Sequence, residues 1–278
     1  MSELSFQPED YQAFGRYLED RCGLVLGDNK DYLVANRLNR LMAELSVATL
    51  KDLISRADSH SGSPLRERII DAMTTNETMW FRDTYPFNML SQVILPELGQ
   101  RRLSQLRIWS AACSTGEEAY SIAIAVREFQ QANAGVLPST VQIIATDIDT
   151  TVLNQAKSAS YDGKSLVRGI SDGRRQRFFE RIDDQWTLKP EVSQLVKFQP
   201  LNLKQSYNAL GKFDVIFCRN VLIYFSSELK RDIVTRMVTS LNPGSYLFMG
   251  AAEAPTSYCD DFTMLRGKPG VAYQLKKA

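Results

Sequence analysis

From about residue 103 onward, apolar runs of strand length alternate with amphipathic stretches of helical length, and that rhythm restricts the larger part of this chain to very few architectures. Residues 106–112 read as a strand and 114–131 as a helix. Residues 141–145 read as a second strand, leading into Thr146-Asp147-Ile148-Asp149, and 150–159 as a second helix. Strands at 197–201 and 213–218 follow, then a helix over 226–241 stopped by Asn242-Pro243-Gly244. A fifth strand at 245–249 and a hairpin of 262–265 with 271–275 complete the series. Parallel strands joined by helices bury both sheet faces, so the expected fold is α/β: a mostly parallel, doubly wound, Rossmann-like sheet with an antiparallel closing hairpin. Between 160 and 197 the rhythm breaks, and a helix followed by a small antiparallel insertion, a β-subdomain at about 178–200, is expected there.

The first 72 residues carry only the helical period. Pro8 suits a first turn, with Tyr11, Phe14 and Leu18 after it. Val34, Leu38, Leu41, Met42 and Leu45 form a stripe, and Leu50, Leu53, Ile54 and Ala57 another. The organisation expected is a small all-helical domain over 1–72, a linker over 73–88 and the α/β domain over 89–278. Arg37 and Arg40, three residues apart on the polar face of one helix, offer a patch for an acidic partner, although an ordinary solvated face explains them equally well.

Charge and composition exclude several classes. Lys and Arg total 33 against 32 Asp and Glu, so no global field draws the chain to nucleic acid or an anionic membrane. The opening Met1-Ser2-Glu3-Leu4 lacks the blocks of a signal peptide, and no apolar run reaches the roughly 20 residues needed to cross a bilayer, so no membrane insertion is expected. Cys22, Cys113, Cys218 and Cys259 lie far apart, which reads as reduced thiols in a cytoplasmic protein with no metal site. The single histidine, His60, sits in a Ser/Gly/Pro loop. A Ser-His-Asp triad or a multi-histidine zinc site is thereby disfavoured.

Three segments carry chemistry. The first strand runs into Ala111-Ala112-Cys113-Ser114-Thr115-Gly116 and then a helix beginning Glu117-Glu118. Small residues there let a ligand approach the backbone at the carboxyl edge of the sheet, although such turns also use small residues merely for packing. The turn lacks G-x-G-x-x-G, so a pyrophosphate-bearing dinucleotide, and with it a nicotinamide oxidoreductase, is disfavoured. The second strand ends in Asp147, which can accept both ribose hydroxyls of a nucleoside, and Asp149, assigned to capping the next helix. A nucleoside without pyrophosphate fits, and S-adenosylmethionine meets that description. The other two segments are Thr74-Thr75-Asn76-Glu77-Thr78-Met79-Trp80-Phe81-Arg82, in the linker, and Cys218-Arg219-Asn220-Val221-Leu222-Ile223-Tyr224-Phe225, after the fourth strand.

On these residues, together with 241–253, the chain resembles the CheR-type chemotaxis receptor glutamate methyltransferases along essentially its whole length. The resemblance implies a class I methyltransferase domain using S-adenosylmethionine and releasing S-adenosylhomocysteine, with no metal. It implies that the helical domain recognises the cytoplasmic domain of a methyl-accepting chemotaxis receptor and that the linker contributes to the active site. It places Asn76, Thr78 and Arg82 against the cofactor or the reacting groups, with Glu117 on its amino-acid part and Asp147 on its ribose. Asn202 and Leu203 would border the adenine; Cys218, Arg219 and Asn220 would line the site beside Ala111, with Tyr224 next to the methyl group. Arg82 and Tyr224 are the residues expected to act on the acceptor carboxylate. The chain departs from the family at Gly250-Ala251-Ala252-Glu253, where many relatives have Gly-His-Ser-Glu. The run at 179–186 also looks too short for the extra glycine-containing residues of relatives that grip a receptor's C-terminal pentapeptide, so independence from that tether is expected. The competing readings are a methyltransferase for another carboxylate, small molecule or nucleic acid, and a non-catalytic cofactor-binding adaptor.

Overall fold

A computed structural model describes residues 6–277; Met1 to Leu4, read above for a signal sequence, lie outside the described residues. Four helices come first: α1 (Pro8–Cys22), α2 (Asp31–Glu44), α3 (Leu50–Asp58) and α4 (Ser63–Met73). Pro8 stands in the first turn of α1, and the Thr49 side chain accepts the Asp52 N–H to cap α3. Their apolar stripes close a separate core of Phe14, Leu18, Val34, Leu38, Leu50, Leu53 and Ile69, all fully buried.

Helix α5 (Tyr85–Met89) passes through a π-turn at Leu90–Ile94 into α6 (Leu95–Gln100). The wound part follows as β1 (Gln105–Ala111), α7 (Glu117–Ala132), β2 (Thr140–Asp147), α8 (Thr150–Ser158), β3 (Ser160–Asp162), α9 (Gly163–Val167) and α10 (Asp172–Phe178). It continues with β4 (Phe179–Ile182), β5 (Gln185–Leu188), α11 (Pro190–Ser193), β6 (Val196–Pro200), β7 (Phe213–Cys218), α12 (Ser227–Ser240), β8 (Leu241–Met249), β9 (Phe262–Gly267) and β10 (Gly270–Leu275). The main sheet has the order β6-β2-β1-β7-β8-β10-β9. Its first five strands pair in parallel, and β10 and β9 close it antiparallel. The fold class is therefore the one the alternation predicts.

Side-chain alternation divides the core between the two faces. On β1 and β7, Ile108, Val215 and Phe217 pack with the α7 side, whereas Trp109, Ile216 and Cys218 pack with the α12 side. Because Ala111 is in register with both Thr146 and Cys218, the three central strands end at one edge. The chain switches direction around β1 there, which is where an open α/β sheet leaves a crevice.

The small sheet, β3-β5-β4, differs in extent from the expected 178–200. It reaches back to Ser160, because β3 pairs Tyr161 with Trp186, and it ends at Leu188, because β6 pairs with β2 in the main sheet. Asp183-Asp184 forms the two-residue turn between β4 and β5, with Asp183 at φ 52°.

The helical part docks against the carboxyl edge. Lys204 Nζ donates to the Glu19 and Asp20 carbonyls at 2.7 and 2.8 Å, and Asn202 Nδ2 to the Arg21 carbonyl at 2.7 Å. These carbonyls lie in the last turn of α1, at its negative end, where a cation is favoured. The Val25 N–H donates to the Tyr224 carbonyl at 2.9 Å, and Leu24 bridges Phe225.

Candidate active site

At this edge lies a cleft whose empty space, its open mouth included, is about 960 Å³. One wall is the linker, Thr74 to Met79 with Arg82; the floor is Ala112 to Ser114 with Asp147 and Ile148. Leu201 to Leu203 and Arg219 to Val221, with Tyr224 and Phe225, form the far side, and Cys22 and Leu24 from the helical part close it.

The floor turn is held in a left-handed backbone, with φ 58° at Ala112, 50° at Ser114 and 95° at Gly116. Gly116 is required on two counts: its φ, and a Cβ there would lie 2.9 Å from that of Ala156 and 3.1 Å from the Tyr161 hydroxyl. The turn is pinned by Asp147, whose Oδ2 accepts the Ser114 N–H at 2.8 Å and whose Oδ1 accepts the Asp149 N–H at 3.0 Å. An ionised carboxylate has about four acceptor positions, so these two bonds leave about two of them unused. Burial pushes its pKa up, opposed by the two N–H donors.

Asp149 has a different task. Its Oδ1 accepts the Thr151 and Val152 N–H groups at the start of α8, as expected of an N-cap. Its Oδ2 accepts from Asn76 Nδ2 at 2.6 Å and from Thr74 Oγ1 at 3.2 Å, fastening the linker to the sheet. Ser114 Oγ donates to the Asn76 carbonyl at 2.8 Å and completes the fastening.

Of the sequence candidates, Asn76, Thr78, Arg82, Asp147, Asn202, Leu203, Arg219, Asn220 and Tyr224 face this cavity, whereas Ala111, Glu117 and Cys218 do not. Ala111 and Cys218 are fully buried on the α12 side of the sheet, behind the floor; the following residues, Ala112 and Arg219, reach the cavity. Glu117 turns away, is 6% exposed, and accepts the Thr115 hydroxyl at 2.6 Å. Its neighbour Glu118, about 100° further round the helix, lines the cavity instead. Glu118 Oε1 accepts from Ser110 Oγ at 2.8 Å and Oε2 from Arg219 Nη1 at 3.0 Å. Burial raises the Glu118 pKa and the Arg219 guanidinium opposes that rise. Arg219 is the hub of this wall, since its Nη2 also pairs with Asp83 at 2.6 Å and reaches the Arg82 carbonyl at 3.1 Å.

Arg82 is placed differently. Its Nη1 donates to the Glu77 carbonyl at 3.0 Å, and among the described residues its remaining N–H groups have no protein partner. Tyr224 lines the far side of the same cavity. Arg37, expected on a free polar face, departs from that reading: it donates to the Met73 and Thr74 carbonyls at 2.6 and 2.7 Å and to Thr75 Oγ1 at 2.9 Å. It is a latch on the linker, because the end of α4 leaves carbonyls that need a donor. Arg40 stays outward, its side chain 93% exposed and paired with Glu44 at 3.1 Å.

The sequence reading passed over Glu118, Asp83 and the α1 end at Cys22 and Leu24. The pair Glu117-Glu118 carried the only signal for the first, with nothing to say which member faces the crevice. Among the described residues no helix is long and apolar enough to cross a membrane, and no group of three or more His, Cys, Asp or Glu gathers as metal ligands would.

Residues 76–271 match the family described as CheR methyltransferase, SAM binding domain, and residues 9–74 match CheR methyltransferase, all-alpha domain. The chain is 50% identical over 279 residues to chemotaxis protein methyltransferase 1 of Pseudomonas aeruginosa, covering 98% of this chain and 100% of that protein. It is 46% identical to chemotaxis protein methyltransferase Cher2 of Pseudomonas putida, over 96% and 98% of the two chains. With the chemotaxis protein methyltransferase of Salmonella typhimurium the identity is 35%, over 99% and 93%. From its first described helix to its closing hairpin, the chain belongs to the CheR methyltransferase family.

Proposed function

We propose that the protein methylates glutamate side chains on the cytoplasmic domain of a methyl-accepting chemotaxis receptor, forming methyl esters, with S-adenosylmethionine as donor and S-adenosylhomocysteine as product. The observation that carries this reading is the polar layout of one cavity: acceptors at Asp147 and Glu118 along its floor and wall, and the under-used donors of Arg82 at the linker. The residues fit the cofactor. Asp147 has room for two ribose hydroxyls, and Glu118, rather than Glu117, supplies an anion for the ammonium of its amino-acid part. Asn202 and Leu203 would border the adenine; Asn76, Thr78, Arg219 and Asn220 would complete the enclosure.

When bound, the cofactor supplies an electrophilic methyl group on sulfur. A solvated glutamate side chain loses its proton near about pH 4.3, so the acceptor carboxylate is already the nucleophile at neutral pH. The protein need not remove a proton, which agrees with a site built without histidine. Its task is alignment, which can lower a barrier by roughly 7–11 kcal/mol. Arg82 would orient the incoming carboxylate through its free N–H groups, and Tyr224 would orient the same group or shield the sulfonium with its ring.

The receptor would meet the face shared by the helical part and the cavity mouth. Arg40, exposed and paired only with Glu44 across one helical turn, would offer a cation to that face, whereas Arg37 is committed to the linker. A receptor's cytoplasmic domain as substrate would place the enzyme in the cytoplasm. The two-residue β4–β5 turn supports independence from a C-terminal pentapeptide tether; tight calorimetric binding of a receptor-tail peptide would overturn that part. The reading as a whole is tested with labelled S-adenosylmethionine and receptor signalling domains, followed by base treatment. Receptor-bound label released as methanol identifies a carboxyl ester; label that survives base, or no label on any receptor, contradicts it.

A further inference from the structure

Glu253 lies outside every role assigned above, yet its carboxylate sits directly behind the loop that forms the cavity's far side. It sits in the turn after β8, 7% exposed. Its Oε2 accepts the N–H of Asn220 and of Gly250, each at 2.9 Å, and its Oε1 accepts the N–H of Ile223 at 3.2 Å. Among the described residues no basic side chain pairs with it. Three backbone donors converge on one buried carboxylate, and all but Gly250 come from the loop that carries Asn220 and Tyr224.

That loop needs holding. Asn220 adopts φ 59°, a left-handed conformation that asparagine tolerates better than most residues and that the bond from its N–H to Glu253 fixes in place. Ile223 is in the single 3₁₀ turn Leu222–Tyr224, and its N–H is one of the donors that so short a turn leaves unpaired. Gly250 lets the carboxylate approach: a Cβ there would stand 2.6 Å from Glu253 Oε2 and 2.9 Å from the Asn220 nitrogen. From the other side, the Val25 N–H holds the Tyr224 carbonyl at 2.9 Å.

We propose that Glu253 is a positioning residue for methyl transfer, setting the 219–225 loop so that Asn220 and Tyr224 present their side chains to the cofactor and acceptor. This rests on the methyl-transfer reading above. Glu253→Gln is nearly isosteric but turns an NH₂ toward backbone N–H groups, so at least one of the three bonds is replaced by a donor–donor clash.

The test has two arms. In turnover, Glu253→Gln is expected to lower kcat by at least about tenfold while KM for S-adenosylmethionine changes less than about threefold, with Tm within a few degrees of wild type. In a Tyr224→Phe background the loss is expected to shrink, because Glu253 acts through the loop that places that hydroxyl. A kcat within about twofold of wild type, or an equal loss in both backgrounds, overturns the proposal. If Glu253→Gln does not fold, Glu253→Asp, which keeps the charge one methylene further away, carries the same comparison. In the second arm, amide exchange is measured on the complex with S-adenosylhomocysteine: acceleration in 219–225 is expected, and unchanged exchange there overturns the proposal. Absence of wild-type turnover on receptor domains counts against the substrate reading, and the exchange arm then decides Glu253 alone.

Discussion

Glu118 and Arg219 form an ion pair at 3.0 Å inside the cavity wall, with the arginine side chain 1% exposed and the glutamate 13%. The same guanidinium pairs with Asp83 at the end of the linker, so one buried cation ties α7, the loop after β7 and the linker together. Removing one partner of such a pair leaves charge uncompensated in low dielectric and costs about 3–5 kcal/mol. Arg219→Met is therefore expected to lower unfolding free energy by that order in denaturant titration. Glu118→Gln preserves the shape and should weaken S-adenosylhomocysteine by about tenfold or more in calorimetry. Loss of affinity in Glu117→Gln but not in Glu118→Gln would reverse the assignment.

Asp147 and Asp149 stand two residues apart with separate tasks. Asp147→Ala is expected to lower cofactor affinity by roughly 10- to 100-fold, the equivalent of a charge-assisted hydrogen-bond pair. Asp149→Ala, which removes a helix cap and the Asn76 contact, is expected to lower Tm first. Unchanged affinity in Asp147→Ala would remove it from the ribose.

Arg82→Ala is expected to reduce kcat by more than it reduces cofactor affinity, because its free N–H groups are proposed to orient the acceptor carboxylate in the cavity that Arg82 lines. An equal loss in both, read by kinetics and calorimetry, would make Arg82 a cofactor residue instead.

Arg37→Ala removes three bonds that clamp the linker at Met73, Thr74 and Thr75. The expected outcome is a stability loss of about 1–2 kcal/mol with faster amide exchange at 73–76. Reduced receptor methylation with unaltered exchange there would return Arg37 to the docking face.

Asp71, at the end of α4, has its pKa raised to about 6 by burial first and by the neighbouring Asp149 second, with Glu67 adding a little and Thr150 and Thr151 opposing. A carboxyl whose folded pKa exceeds its unfolded value of 3.8 favours the fold when protonated. That contribution is complete below the unfolded pKa and is lost as pH rises through the folded one. Asp71→Asn is expected to gain a few degrees of Tm over wild type near about pH 7 and little near about pH 4. A pH-independent difference would show that Asp71 does not titrate with the junction.

The fold was largely legible because the periods of helix and strand differ so sharply: Ile108, Ile143 and Val215 announce buried strands, and Val34, Leu38 and Leu41 a helix face. What was not legible is rotational. Glu117 and Glu118 are chemically identical in sequence, and only the phase of α7 decides which one faces the cavity. Ala111 and Cys218 fail for the same reason, since one step along a strand changes the face. Arg37 reads as a surface cation until the chain's return places three acceptors beside it. Glu253 stands in a segment that carries the family resemblance, but nothing local names its partners, because those in the 219–225 loop are backbone groups 30 and 33 residues earlier.

Everything depends on the crevice between the linker and the ends of β1, β2 and β7 being the cofactor's seat. Calorimetric titration of the purified protein with S-adenosylhomocysteine, beside Asp147→Ala and Glu118→Gln, measures that directly. Saturable binding at one site per chain, weakened in both variants, is the expected result. No binding to wild type, or binding indifferent to both substitutions, would contradict it.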